Sequence, residues 1–234
     1  MTKRFHGKIG EEYALFERAY THFNEFQERI AKQVSKHCKG KKVYPILELG
    51  CGPGPTSKKL LMLNKKAILT AVDNEPLMIA QAEDYLQQYE DRVYLVQRDI
   101  LEYLDNMPGS VFDAVASGWT LHNFDSSYRE KVLRGIYRVL KPNGIFVNGD
   151  KYAQDDADKH HADFNWSIEQ FVKKMAEKGH HQLCYDWIIH MGFDEDPKRL
   201  MKERESLSEL ERIGFISPEV IWRKRMEAIV SARK

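Results

Sequence analysis

Cysteine is scarce in this sequence: Cys38, Cys51 and Cys184 are widely spaced and form no C-x-x-C pair. That excludes a disulfide framework and fits a reducing compartment. Long apolar runs are missing too, none approaching the roughly 20 residues of a membrane-spanning helix. The opening MTKRFHGKIGEEYALF lacks the apolar centre of a secretory signal. Neither sign of charge dominates. Lys and Arg number 36 against 35 Asp and Glu, a formal net charge of +1, so no strong field favours nucleic acid or an anionic membrane. Internal repeats and low-complexity tracts are absent. The expectation is a soluble cytoplasmic protein with no membrane partner and no nucleic-acid substrate. Its 234 residues suffice for one α/β domain with an appendage.

What is present is an alternating pattern. Tyr13, Phe16, Tyr20, Phe23, Phe26, Ile30 and Val34 recur at spacings of three and four, so residues 11–38 read as one amphipathic helix or a broken pair. The stripe reads as core packing, although Tyr13 and Tyr20 also suit a helix lying over a ligand pocket. From residue 43, strands at 43–49, 67–73, 92–97, 111–117 and 144–149 alternate with helices near 55–64, 76–90 and 126–140. Short apolar strands separated by helices imply a parallel sheet with crossovers. Pro142-Asn143-Gly144 marks a turn before the fifth strand. Residues 151–210 break the rhythm and read as a helical insertion packed on the core. The β-prone runs 220–223 and 228–232 suit an antiparallel pair closing the sheet edge.

Glu48-Leu49-Gly50-Cys51-Gly52-Pro53-Gly54 stands directly after a strand and before a helix. There the backbone must turn sharply and approach a ligand closely, which side chains would obstruct. A phosphate-binding P-loop needs Gly-Lys-Ser/Thr, but Gly54 is followed by Pro55-Thr56. A G-x-G-x-x-G dinucleotide fingerprint fails in both registers, its third glycine falling on Pro55 or on Ser57. Glu48 would repel a pyrophosphate and suits a ligand with ammonium and sulfonium centres instead. Asp73, at the end of the second strand, can accept from ribose hydroxyls. Asp99, after the third, can accept from an adenine amino group. All three features fall at carboxyl ends of successive strands, where open α/β sheets bind ligands.

In these motifs the chain resembles the class I S-adenosylmethionine (SAM)-dependent methyltransferases over residues 40–150. ELGCGPG at 48–54 is similar to the first motif, FDAVASGWTLHNF at 112–124 to the fourth strand and its loop, and RVLKPNGIF at 138–146 to the turn before the fifth strand. The resemblance implies an α/β, Rossmann-like fold: a seven-stranded, mostly parallel sheet with an antiparallel C-terminal strand, N-terminal helices and a helical insertion before the last two strands. It divides the chain into an N-terminal helical cap (1–40), a SAM-binding core (41–150), a substrate-lid insertion (151–210) and a C-terminal hairpin (211–234). It assigns SAM binding to Glu48, Gly50, Cys51, Gly52, Gly54, Asp73, Asn74, Met78, Asp99, Ile100 and Ser117.

SAM carries its own activation, so the protein needs mainly to align an acceptor and, for some acceptors, to remove a proton. His122 is the first candidate base because it follows the fourth strand and imidazole titrates near neutrality. The alternative is that His122 and Asn123 only shape the loop or hold the SAM carboxylate. Asp150, Lys151 and Tyr152 follow the fifth strand, where they contact an acceptor or merely end the strand. His122, Asn123 and Tyr152 form the candidate catalytic set. SGWTLHNF stands where amino-group methyltransferases of DNA and glutamine carry Pro-Pro-Tyr/Phe, which disfavours that acceptor class. His160-His161 and His180-His181, with Cys184 and His190, invite a metal reading. Adjacent histidines on a helix point about 100° apart, however, and no zinc-like spacing occurs, so no metal is expected. Trp119, Phe124, Tyr152, Trp166 and Trp187 suit an aromatic pocket for a small organic acceptor. The expected activity is methyl transfer to a small-molecule O, N or C acceptor. The alternatives are non-methyl SAM chemistry (carboxy-SAM formation, aminocarboxypropyl transfer or cyclisation) and a non-catalytic SAM-binding partner. A homodimer is compatible with all three.

Overall fold

Seven strands answer the alternating pattern in a computed structural model that describes residue 20 and residues 22–177 and 179–234. They are β1 (Tyr44–Leu49), β2 (Ala67–Asp73), β3 (Val93–Gln97), β4 (Phe112–Gly118), β5 (Leu140–Lys151), β6 (Ile216–Lys224) and β7 (Glu227–Arg233), in the spatial order β3-β2-β1-β4-β5-β7-β6. β1 through β5 pair in parallel, and β7 runs antiparallel between β5 and β6. The order reverses between β1 and β4, which opens a crevice at their carboxyl ends.

The helices are α1 (Phe23–His37), α2 (Pro55–Leu63), α3 (Pro76–Leu86), α4 (Ile100–Asn106), α5 (Ser126–Val139), α6 (Ala157–Ala176), α7 (His181–Asp194) and α8 (Glu203–Ile213). The apolar stripe of α1 buries Phe23, Phe26, Ile30 and Val34; Tyr13 and Phe16 lie outside the described residues. α1 seats on β5 at Gly149, where an added Cβ would come within 2.5 Å of Ile30. With α2 and α3 it covers one face of the sheet through Ile30, Leu60, Leu61 and Ala82. The opposite face packs Leu104 of α4, Val132 and Ile136 of α5 and Leu210 of α8. α6 and α7 share a core of their own: Phe171, Met175, Leu183, Trp187 and Met191. Burying one such side chain is worth about 2 kcal/mol, so the five together contribute on the order of 10 kcal/mol, which offsets only part of the entropy lost in ordering the two helices.

Two elements differ from the sequence reading. α4 was not visible, because seven residues show too little periodicity; its start is fixed by Asp99, whose side chain accepts from Leu101 N and Glu102 N. Pro142-Asn143-Gly144 does not precede β5 but lies inside it as a bulge, with Asn143 at φ 62° and the β4–β5 register shifting between Phe112 and Ala114. No helix among the described residues is long and apolar enough to cross a membrane.

Candidate active site

The loop after β1 turns through three left-handed glycines, Gly50, Gly52 and Gly54, at φ 68°, 53° and 95°. Gly54 caps α2 and Pro55 opens it, where a missing N–H costs nothing. A Cβ at Gly50 would lie 2.2 Å from Thr120 Oγ1, whereas one at Gly52 meets nothing within 4 Å. Gly50 is thus required by close packing, and Gly52 leaves open space at the mouth of the crevice. Asp73 braces the loop: Gly52 N donates to Oδ2 at 2.9 Å and Glu75 N to Oδ1 at 3.0 Å. A carboxylate oxygen has two lone pairs, so each can accept one further hydrogen bond. Burial pushes Asp73 above the usual carboxylate range, against the backbone donors.

Glu48 lies beneath the loop, 1% exposed, and accepts from Ser57 Oγ. Burial raises it to about 8, with Ser57 opposing and Asp73 adding to the rise. Between about pH 4.5 and 8, the folded chain therefore keeps a proton that the unfolded chain has released, and stability falls as pH rises through that window. Glu48→Gln should remove this loss. Its stability is expected to exceed the parent's above pH 8 by up to a few kcal/mol, at about 1.4 kcal/mol per pKa unit, and to show as a higher unfolding midpoint. The gap should close toward acid pH; parallel curves from thermal unfolding between pH 5 and 9 would defeat the assignment.

The other residues assigned to SAM are distributed around this turn. Asn74 is exposed beside Asp73, and Met78 and Ile100 are buried in the first turns of α3 and α4. Asp99 accepts from Leu101 N, Glu102 N and the Tyr128 hydroxyl, all on Oδ1, leaving Oδ2 for a ligand among the described contacts. Cys51 is buried, and burial holds its thiol well above the ordinary value. Ser117 is fully buried at the end of β4, and its Oγ has no partner among the described residues. The open space at Gly52 and the acids at successive strand ends fit a ligand with cationic and hydroxyl groups, as SAM has.

The second half of the site begins at Trp119, which takes φ 51°, a costly conformation for a bulky side chain. It is held there by Trp119 N donating to Gly149 O at 2.8 Å and by its ring stacking on Phe26 at 4.2 Å. Asn123 spends its amide on the carbonyls of Trp119 and Thr120 and so shapes the turn. His122 is buried, with Nδ1 2.5 Å from Asp150 Oδ1 and Nε2 3.8 Å from Asp194 Oδ2. Asp150 also accepts from the backbone N–H groups of Leu121 and Lys151. Lys151 Nζ lies 2.7 Å from Asp194 Oδ2. Burial alone would lower Lys151, but Asp194 holds it above its ordinary value.

Tyr152, expected beside the acceptor, is corrected by the structure. Side chains alternate along β5, so Asn148, Asp150 and Tyr152 share one face and Lys151 the other. Tyr152 packs in the main core, its hydroxyl accepting from Asn148 Nδ2 at 2.8 Å. The histidine pairs do not form a cluster, but His190 and Asp194, one turn apart on α7, join His122 with donor atoms within 4.8 Å of one another. The positive charge at this cluster is the Lys151 ammonium.

A cavity opens at the same end of the sheet, walled by Tyr20, Phe26, Trp119, Trp166, Phe171 and Trp222, with Glu227 among its lining. Trp119 and Trp166 were expected there. Phe124 and Tyr152 instead join the main core, and Trp187 stacks between Phe171 and His190 within the α6–α7 pair. Glu227 was missed because 224–227 reads as a mere connection, and Trp222 because the run 220–223 reads only as closing the sheet edge. Asp194 was missed because it opens the charge-dense stretch 194–212, which reads in sequence as a solvated helical face. Only the pairing of β7 with β5, which sets Glu227 opposite Lys151, could have exposed the acid.

Comparison with known proteins agrees with this geometry. Residues 46–144 match the model of a methyltransferase domain. The carboxy-S-adenosyl-L-methionine synthase of Nautilia profundicola is 24% identical over 189 residues, 76% of this chain and 72% of that one. The sterol 24-C-methyltransferase of Clavispora lusitaniae is 27% identical over 157 residues, 64% of this chain and 40% of that one, so the match spans less than half of that enzyme. A SAM-dependent methyltransferase structure from Aquifex aeolicus superposes with a TM-score of 0.61 at 17% identity, covering 94% of this chain and 97% of the other. A chain that orders its strands in this way and turns its first strand into such a loop has the fold of the class I SAM-dependent methyltransferases, and over residues 46–144 it matches a methyltransferase domain.

Proposed function

We propose that this protein transfers a methyl group to a small-molecule acceptor seated in the aromatic cavity, and that it does so in the cytoplasm. The observation that carries the reading is position: the cavity and the glycine loop share the carboxyl end of the sheet, with Trp119 following β4 directly. When bound, SAM supplies an electrophilic methyl carbon. The protein's own work is then to bind, orient and exclude water. Gly52 and Asp73 hold the cofactor side. Trp119, locked by Phe26 and Gly149, forms the wall between the two halves. The His122–Asp150 pair fixes the turn after β4 and ties it to β5, so His122 acts in positioning. Relatives named as sterol and carboxy-SAM enzymes support a small organic co-substrate.

A second reading has one finding in its favour, the carboxy-SAM synthase relative that covers most of this chain. Adding a carboxyl group to SAM calls for an acidic co-substrate, which the Glu227 carboxylate in the cavity opposes through like charge. Mass spectrometry of SAM incubated with the protein and a metabolite extract separates the two. S-adenosylhomocysteine with a product heavier by one methyl group supports the proposal; a carboxylated SAM overturns it.

A further inference from the structure

We propose that the aromatic cavity recognises an ammonium group, protonated or quaternary, on its ligand, an inference that rests on reading this cavity as the acceptor site. Glu227, the carboxylate in its lining, is 8% exposed. Its cross-strand neighbours are Lys151 on β5 and Lys224 on β6. Neither amine pairs with it: Lys151 Nζ lies 2.7 Å from Asp194, and Lys224 Nζ lies 2.7 Å from Glu25. The two nearby guanidinium groups are also committed, Arg223 to Glu203 and Arg225 to Asp163. Among the described residues Glu227 has no cation within ion-pairing distance, although four stand around it.

A buried carboxylate without a countercharge is expensive, and here burial raises Glu227 to about 7, with its own backbone N–H, then Lys151 and Arg223, opposing and Asp163 adding to the rise. The remaining polar lining, His22, Ser167 and Gln170, carries no strong positive charge; burial and then Lys224 hold His22 below its ordinary value. An ammonium group entering the cavity would supply the missing countercharge. The walls favour it as well, because aromatic faces attract cations. Two of them already do so at the rim, with the Arg225 guanidinium 4.1 Å from the Trp166 ring centre and Lys224 Nζ 5.8 Å from that of Trp222. An anionic ligand would meet like charge, and a neutral one would leave the carboxylate without a countercharge.

The test is binding, read by tryptophan fluorescence of the intact protein, with tetramethylammonium chloride and tert-butanol as probes of similar shape and different charge. Tetramethylammonium should quench saturably, and tert-butanol should bind at least about 10-fold more weakly. Glu227→Gln, nearly identical in shape and checked for an unchanged unfolding curve, should weaken the ammonium by about 10-fold and leave tert-butanol unaffected. Equal binding of the two probes, or equal ammonium binding by the variant, overturns the inference. A panel of amines, phenols and carboxylic acids, followed by S-adenosylhomocysteine release, separates the two layers. Turnover of phenols without ammonium binding defeats the inference and keeps the methyl-transfer proposal. Ammonium binding with no turnover of any acceptor keeps the cavity's chemistry and defeats methyl transfer.

Discussion

Alanine at Gly50 and alanine at Gly52 are expected to fail in opposite ways. Both positions sit in the left-handed region, so each substitution costs about 1 kcal/mol of backbone strain. At Gly50 the new methyl would also overlap Thr120, 2.2 Å from Oγ1 and 2.4 Å from Cγ2. Thr120 has little room to yield, because its Oγ1 lies 3.2 Å from Leu49 O and 3.1 Å from Gly118 O. Gly50→Ala should therefore lose about 3 kcal/mol or more, a fall of roughly 6–12 °C in unfolding midpoint for a chain of this size. At Gly52 the same methyl meets nothing within 4 Å. Gly52→Ala should keep its fold to within a few degrees, yet lose SAM affinity by about 100-fold, because the methyl enters the space a ligand needs. Thermal unfolding paired with calorimetric titration of SAM reads both. Normal SAM affinity in Gly52→Ala would mean that the ligand does not approach the loop there.

Asp73→Ala should produce the largest loss of SAM affinity among side-chain variants, about 100-fold or more. Its carboxylate holds two backbone N–H groups of the crevice, Gly52 and Glu75, and each left unpaired costs about 1–3 kcal/mol. The ribose hydroxyls assigned to it by the family resemblance would lose their acceptor in the same stroke. Asp73→Asn keeps one acceptor oxygen but turns an amide donor toward one of these N–H groups, so an intermediate loss of about 10-fold is expected. Titration of both variants decides: an Ala variant binding SAM within twofold of the parent would remove Asp73 from the site.

The cofactor half of this molecule was legible in its sequence because it is local. A strand, three glycines, Pro55 and a helix follow one another, and turn geometry alone dictates which residues can stand there. Asp73 and Asp99 could be placed at the carboxyl edge for the same reason, one ending a recognisable strand and the other following one by two residues. The acceptor half is not local. Asp194 meets Lys151 and His122 across 43 and 72 residues, and no periodicity links them. Glu227 enters the cavity only because β7 turns back between β5 and β6. Tyr152 is a different failure: strand alternation from Asp150 already sets it on the core face, but a strand thought to end at 149 hid the parity. A bulge around Pro142 to Gly144 likewise disguised the start of the same strand.

The ion pair between Lys151 and Asp194 has a mechanical consequence. Trp166 and Phe171, two walls of the cavity, ride on α6, and α6 is bound through its shared core to α7, whose last residue is Asp194. The helical pair is therefore fastened to the sheet by a latch next to the chemistry. Any displacement of the helical pair from the sheet would separate two buried charges, each of which would then have to find water.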